Sequence, residues 1–124
     1  MKDKRYSYPI DVFDYDFEND SLLFNNQNID YESSVDLGDI VLDIGVDGTP
    51  VGAEMLHASK LFGVSKTALK NCQNFKAEIS ISKDTIKIKI TVSVPFRNGV
   101  IEKIAASQGI NDINVPSAQI AMAC

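Results

Sequence analysis

Apolar and polar residues alternate along most of this chain with a period of two, the period that sends successive side chains to opposite faces of a strand. In YSYPIDVFDY (residues 6–15) Ile10 and Val12 alternate with Asp11 and Phe13, and SLLF (21–24) resumes apolar character after an acidic loop, so the two segments read as a hairpin. DIVLDIGVDGTPVGAEM (39–55) carries the sharpest pattern. Asp47-Gly48 suits a two-residue turn that needs positive φ. That turn sets Ile44 opposite Val51, Leu42 opposite Ala53 and Ile40 opposite Met55 on a core face, with Val41 and Asp43 facing Glu54 and Gly52 on the other.

A second hairpin follows in NFKAEISISKDTIKIKITVSVPF (74–96). A turn at Lys83-Asp84 pairs Ile81 with Ile86, Ile79 with Ile88 and Ala77 with Ile90, and brings Glu78 to Lys89 on the opposite face. Arg97-Asn98-Gly99 supplies the next turn, with Gly99 suited to a left-handed position. VIEKIAASQ (100–108) then returns as a third strand, although Glu102, Lys103, Ala105 and Ala106 also suit a helix. The tail, 109–124, is a docked strand or a disordered end, and Pro116 argues against a central strand there. Between the hairpins HASKLFG has room for two helical turns, with Leu61 and Phe62 for contact and Gly63 to stop them; Ser65 caps a further turn, KTALKN.

The expected fold is therefore mainly β: an antiparallel β-sandwich or open roll of about six to eight strands, with one short α-helix near residues 57–62. The alternative is α+β, a helix packed on an antiparallel sheet. A length of 124 residues suits a single domain, made of hairpins plus helix (8–62), a second hairpin and return strand (73–108) and a tail (109–124).

Composition narrows the setting. No apolar run is long enough to span a bilayer, and Met1 to Arg5 runs into Tyr-Ser-Tyr-Pro rather than a signal-peptide core, so a cytoplasmic protein away from the membrane is expected. Cys72 and Cys124 lack metal or redox spacing and read as reduced thiols. Charge is informative once divided: residues 1–56 carry thirteen acids and three bases, net −10, and residues 57–124 carry four acids and nine bases, net +5, which sum to −5. Mutual attraction of the halves, within one chain or between two, is the expected consequence. Lys76, Lys83, Lys87 and Lys89 fall on a polar face with Ser80, Ser82, Thr91 and Ser93. Sheets that bind nucleic acid add exposed aromatics for stacking, and this face has none, so the lysines read as a solvated, edge-protecting stripe and nucleic acid is not an expected partner.

The run FDYDFENDSLLF, SSVDLGDIVLDIGVDGTPVGAEMLHAS has an aromatic-Asp-acidic opening, an Asp-Gly turn and a Val-Gly-x-Glu-x-Leu-x-Ala-Ser close. In that order and spacing it resembles the family of unknown function DUF2283, over roughly residues 8–62. The chain is similar to the longer archaeal members in continuing with a second hairpin. The resemblance implies no catalytic residues, and it implies a partner-binding, antitoxin-like role.

Two clusters invite chemistry. Glu54, His57 and Ser59 hold the residue types of a base-assisted nucleophile, so a hydrolase using His57 is one reading; Ser59 lacks the Gly-x-Ser-x-Gly elbow, and the expected roles are structural. Asp47, Gly48, Gly52, Glu54, Ala58 and Ser59 then form the turn and the strand-to-helix junction, Ser59 bonding within its own turn. Asp14, Asp16, Glu18 and Asp20 space their oxygens as calcium loops do, but Asn19 stands where the glycine is needed and Asn25 where the closing glutamate is needed, so a hairpin loop is expected instead of a metal site. The sum is a non-enzymatic protein-protein interaction module without a cofactor, expected to bind itself as a homodimer or a basic protein partner. A small-molecule or metal-ion binding domain is the alternative.

Overall fold

In the computed structural model, which describes residues 4–124, ten strands and two short helices follow one another. They are β1 (Lys4–Pro9), β2 (Val12–Asp16), β3 (Ser21–Asn25), β4 (Tyr31–Asp36), β5 (Ile40–Gly45), β6 (Pro50–Met55), α1 (Ala58–Phe62), α2 (Lys66–Lys70), β7 (Gln73–Ile81), β8 (Thr85–Phe96), β9 (Gly99–Ile110) and β10 (Ala118–Ala123). One five-stranded sheet has the order β2-β3-β6-β5-β4 and the other β1-β10-β7-β8-β9. Neither closes into a barrel. One apolar cluster draws on both: Leu22, Phe24, Leu42 and Met55 from the first sheet, Ile79, Ile88, Val92 and Met122 from the second. The ring of Phe75 on β7 meets Phe13 and Phe24 of the other sheet at 4.8 and 5.0 Å between centroids, so the sheets pack face to face.

The second hairpin follows its sequence pattern from Lys76 to Thr91, and its register shifts only between Gln73 and Lys76. Ile81 pairs with Ile86, Ile79 with Ile88, Ala77 with Ile90 and Glu78 with Lys89, the isoleucines buried and the charges outward. In the first hairpin Ile40, Val41, Leu42 and Asp43 find the expected partners, but Ile44 faces Pro50, not Val51. Pro50 has no N–H for the ladder, and the strand takes one extra residue at Val51, whose carbonyl accepts instead from the Asn26 amide at 2.8 Å. The connection is accordingly longer than two residues: the Gly45 amide donates to the Thr49 carbonyl at 2.8 Å, and Gly48 takes φ 83° within the loop.

Other expectations are corrected, or decided where two readings stood open. The 6–15 segment is two strands, because Pro9, Ile10 and Asp11 carry the chain from one sheet to the other; the Ile10 amide donates to Ala123 of the first neighbour and the Asp11 amide to Asn25 of the second. β1 and β10 run parallel, the exception in otherwise antiparallel sheets. Residues 31–36, unassigned by periodicity, form edge strand β4. At the β8–β9 turn the left-handed residue is Arg97 (φ 55°) rather than Gly99. The 100–108 segment is a strand, extended to Ile110. The tail is ordered and inserts as β10 between β1 and β7; Pro116 ends before that strand begins and so costs it no hydrogen bond. A second helix, α2, joins the expected α1, and Ser65 caps it by accepting from the Ala68 amide at 3.1 Å. Among the described residues no helix is long and apolar enough to cross a membrane.

Candidate functional site

The acidic loop and the Ala-Ser close of the motif belong to one junction. Asp20, left-handed at φ 54° and buried, ends the β2–β3 turn. Its carboxylate accepts from the Ser59 amide at 3.0 Å, the Ser59 hydroxyl at 2.7 Å and the Tyr15 hydroxyl at 2.6 Å, and its carbonyl accepts from the Ala58 amide at 2.9 Å. Ser59 thus bonds across to the β2–β3 turn and not within its own, because the buried carboxylate needs every donor in reach. Burial pushes the Asp20 carboxyl up, but the hydrogen bonds from Tyr15 and Ser59 outweigh it and hold the group below its ordinary value. Burial and the same hydrogen bond push the Tyr15 phenol up.

The remaining acidic-loop oxygens go elsewhere. Asp16 accepts from the Asn19 backbone and side-chain amides at 3.1 and 2.8 Å, while Asp14 and Glu18 are exposed. Lys66 and Lys70 cover the face of Phe17 at 5.5 and 5.4 Å, fastening the loop to α2. Among the described residues no three His, Cys, Asp or Glu side chains gather as metal ligands do. Nor do Glu54, His57 and Ser59 form a relay. Glu54 stands exposed on β6, His57 is exposed at φ 55° with no capping hydrogen bond, and Ser59 is buried with its hydroxyl donated to Asp20. Asp47 ties its own turn, accepting from the Thr49 amide at 3.0 Å and hydroxyl at 2.6 Å.

Charge is divided by sheet. The strands β2 to β6 bear Asp14, Asp16, Glu32, Asp36, Asp43 and Glu54 and no lysine or arginine; β1 and β7 to β10 bear Lys4, Arg5, Lys76, Lys87, Lys89 and Lys103 against Glu78 and Glu102. The halves do not neutralise one another through ion pairs: the one ion pair among the described residues is Lys76–Glu78, 3.8 Å, within β7. The sandwich has an acidic outer face and a basic one.

On the basic face the strand registers align a row of hydrogen-bonding side chains across all five strands. Arg5 lies beside Gln119, Gln119 beside Ser80, Ser80 beside Lys87 and Lys87 beside Gln108. Gln119 Nε2 donates to Ser80 Oγ at 2.9 Å. The adjacent row runs Ser7, Ala121, Glu78, Lys89, Ala106, and its two alanines leave a depression. The result is a trough of about 650 Å³ with the sheet backbone as its floor. Lys87 and Lys89 were visible as a polar stripe in sequence. Gln108 was within reach of the hairpin register, but Arg5 and Gln119 join the row only through the β1-β10-β7 order, which no local pattern encodes.

Comparison with known proteins places these features. The family model described as "Protein of unknown function (DUF2283)" matches residues 13–59, from β2 to the Ser59 that closes on Asp20. A Methanosarcina mazei protein carrying the name "Putative hypoxanthine phosphoribosyltransferase" is 42% identical over 104 residues, 84% of this chain and 85% of its own. An uncharacterised protein of Methanocaldococcus jannaschii is 38% identical over 108 residues, 86% of this chain and 93% of its own. No solved structure matches the chain. With the family model covering the acidic sheet and relatives aligned over most of both sheets, this chain belongs to the DUF2283 family.

Proposed function

We propose that the protein is a non-enzymatic, cytoplasmic interaction module that forms a homodimer by edge-to-edge pairing of β9 and leaves its acidic sheet for a basic protein partner. The observation that carries this reading is the contrast among the four sheet edges. β1, β2 and β4 are short, and each bears charges or a proline: Lys4, Arg5 and Pro9, then Asp14 and Asp16, then Glu32 and Asp36. These are the devices that protect an edge from further pairing. β9 carries Glu102 and Lys103 as well, but it is twelve residues long, and its solvent side presents Val100, Ile104 and Ile110 at 59, 54 and 74% exposure. Two copies of β9 related by a two-fold axis would pair antiparallel and set these side chains beside those of the partner on the outer face of one continuous sheet, in a self-complementary contact. An antitoxin-like role fits the same surface division, the acidic sheet being the face for a basic partner.

Light scattering at tens of micromolar protein tests the dimer, with a monomer mass overturning it. The name of the Methanosarcina mazei relative would make an enzyme of its bearer. Consumption of hypoxanthine with a phosphoribosyl donor by the purified chain would overturn the non-enzymatic part of the reading.

A further inference from the structure

We infer that the trough on the basic sheet binds a small phosphate-bearing molecule of mononucleotide size. The inference does not rest on the dimer, since Ala106 and Gln108 face outward from β9 and a sheet continued through that edge leaves the trough open. Charge complementarity chooses the occupant. Arg5, Lys87 and Lys89 line the trough, and the carboxylate that lines it with them, Glu78, lies 3.8 Å from Lys76 outside it. Three cations against a single carboxylate suit a phosphate monoester, which carries close to two negative charges at neutral pH, better than a lone carboxylate. Arginine supplies a fork for the oxygens and the lysines supply point charges.

Size and the neutral side chains fix the rest. A volume of about 650 Å³ far exceeds an inorganic anion and falls in the usual range for organic ligands, about 300–1,000 Å³. Ser80 Oγ, having accepted from Gln119, keeps its own proton to donate, and the carbonyl of Gln119 remains an acceptor. Gln108 adds an amide on the far side of Lys87. Ala121 and Ala106 are short enough to let a flat ring lie against the sheet backbone. A polynucleotide is disfavoured because neither outward row carries an aromatic on which successive bases could stack.

The test is a titration of the isotope-labelled full chain, followed by NMR, with the four ribonucleoside 5′-monophosphates, their nucleosides and single-stranded oligonucleotides. At least one monophosphate is expected to shift the amide resonances of Ser80, Lys87, Gln108 and Gln119 at sub-millimolar concentration, its nucleoside leaving them in place. Lys87→Gln and, as a second variant on an exposed strand, Arg5→Gln should each weaken that binding by about tenfold or more, with melting temperature and oligomeric mass unchanged. Absence of shifts with every monophosphate at millimolar concentration overturns the inference. So does equal binding of the nucleoside, affinity that climbs with oligonucleotide length, or full affinity in both variants.

Discussion

Asp20 and Ser59, 39 positions apart, meet in a buried pair in which the serine hydroxyl donates to Oδ2 at 2.7 Å and the serine amide to Oδ1 at 3.0 Å. The contact fixes the start of α1 against the β2–β3 turn and joins the two ends of the family motif. Removing the carboxylate strands three donors, so Asp20→Ala should destabilise the protein by about 3 kcal/mol and Ser59→Ala by about 2 kcal/mol. The double variant should cost less than the sum, since both changes break the same bonds. Urea unfolding of the four proteins measures this, and strict additivity would mean that the contact contributes nothing.

Acid should dissolve the same junction. The Asp20 carboxyl is held below its ordinary value, because the hydrogen bonds that favour its charged form outweigh burial. A depressed carboxyl contributes stability that is complete above the unfolded-state value and is lost as pH falls through the folded-state value. The stability gap between the parent and Asp20→Asn should therefore be widest near neutrality and narrow on acidification through that window. A gap of constant size down to strongly acid pH would remove the ionised form from the account.

His57 occupies a left-handed backbone position at φ 55° and caps nothing. Such a conformation costs a side chain with a Cβ about 1–2 kcal/mol, which glycine escapes. Against that, glycine orders a freer unfolded chain. His57→Gly should therefore melt at or slightly above the parent temperature, and His57→Gln should lose less than about 1.5 kcal/mol. A hydrolytic activity that disappears in either variant would restore the histidine as a chemical group.

How far the sequence could be read depends on the range of each contact. The β7–β8 hairpin was legible to the residue, since buried isoleucines at 79, 81, 86, 88 and 90 and a two-residue connection leave a single register that hides them all. The β5–β6 register was legible up to Asp43 and failed at Ile44, where Pro50 brings in a bulge that alternation does not encode. The break between β1 and β2 left the period of two undisturbed across Pro9 and Asp11, so a chain changing sheets reads as one strand. β10 was ambiguous because AQIAMA owes its central position to β1 and β7, both distant in sequence. Asp20 and Ser59 were each singled out, but no local rule joins residues so far apart, and the trough's row has the same origin.

Two glycines of the motif separate two mechanisms. Gly48 takes φ 83°, where a β-branched residue is strained, so Gly48→Val should cost about 2 kcal/mol. Gly52 is held by proximity: a Cβ there would collide with the Phe24 carbonyl and the Asn25 backbone across the β3–β6 ladder. Even Gly52→Ala should therefore be damaging, more so than Gly48→Ala, and melting curves rank them. Equal melting of Gly52→Ala and the parent would place β3 and β6 farther apart than the ladder has them.

Salt should leave the homodimer intact. Opposite charges on the two halves of the chain at first favour an electrostatic two-fold contact, but on the strands they lie on different sheets, most carboxylates on β2 to β6 and every strand-borne base on β1 and β7 to β9. A two-fold axis that stacks outer faces brings like onto like, and acidic onto basic stacking runs head to tail without closing. Edge pairing through β9 escapes both difficulties, since that strand adds only one acid and one base, Glu102 and Lys103, to the contact and its exposed large apolar side chains are Val100, Ile104 and Ile110. Ile104→Lys should accordingly shift the protein toward monomer with the parent's fold, because it removes an apolar side chain from beside the seam and adds like charge to both copies. The parent should keep its dimer mass from low salt to half-molar salt, where interactions between exposed charges are screened within about 4 Å. Dissociation by salt alone would assign the contact to the charged faces, and a dimer untouched by Ile104→Lys would move it to another edge.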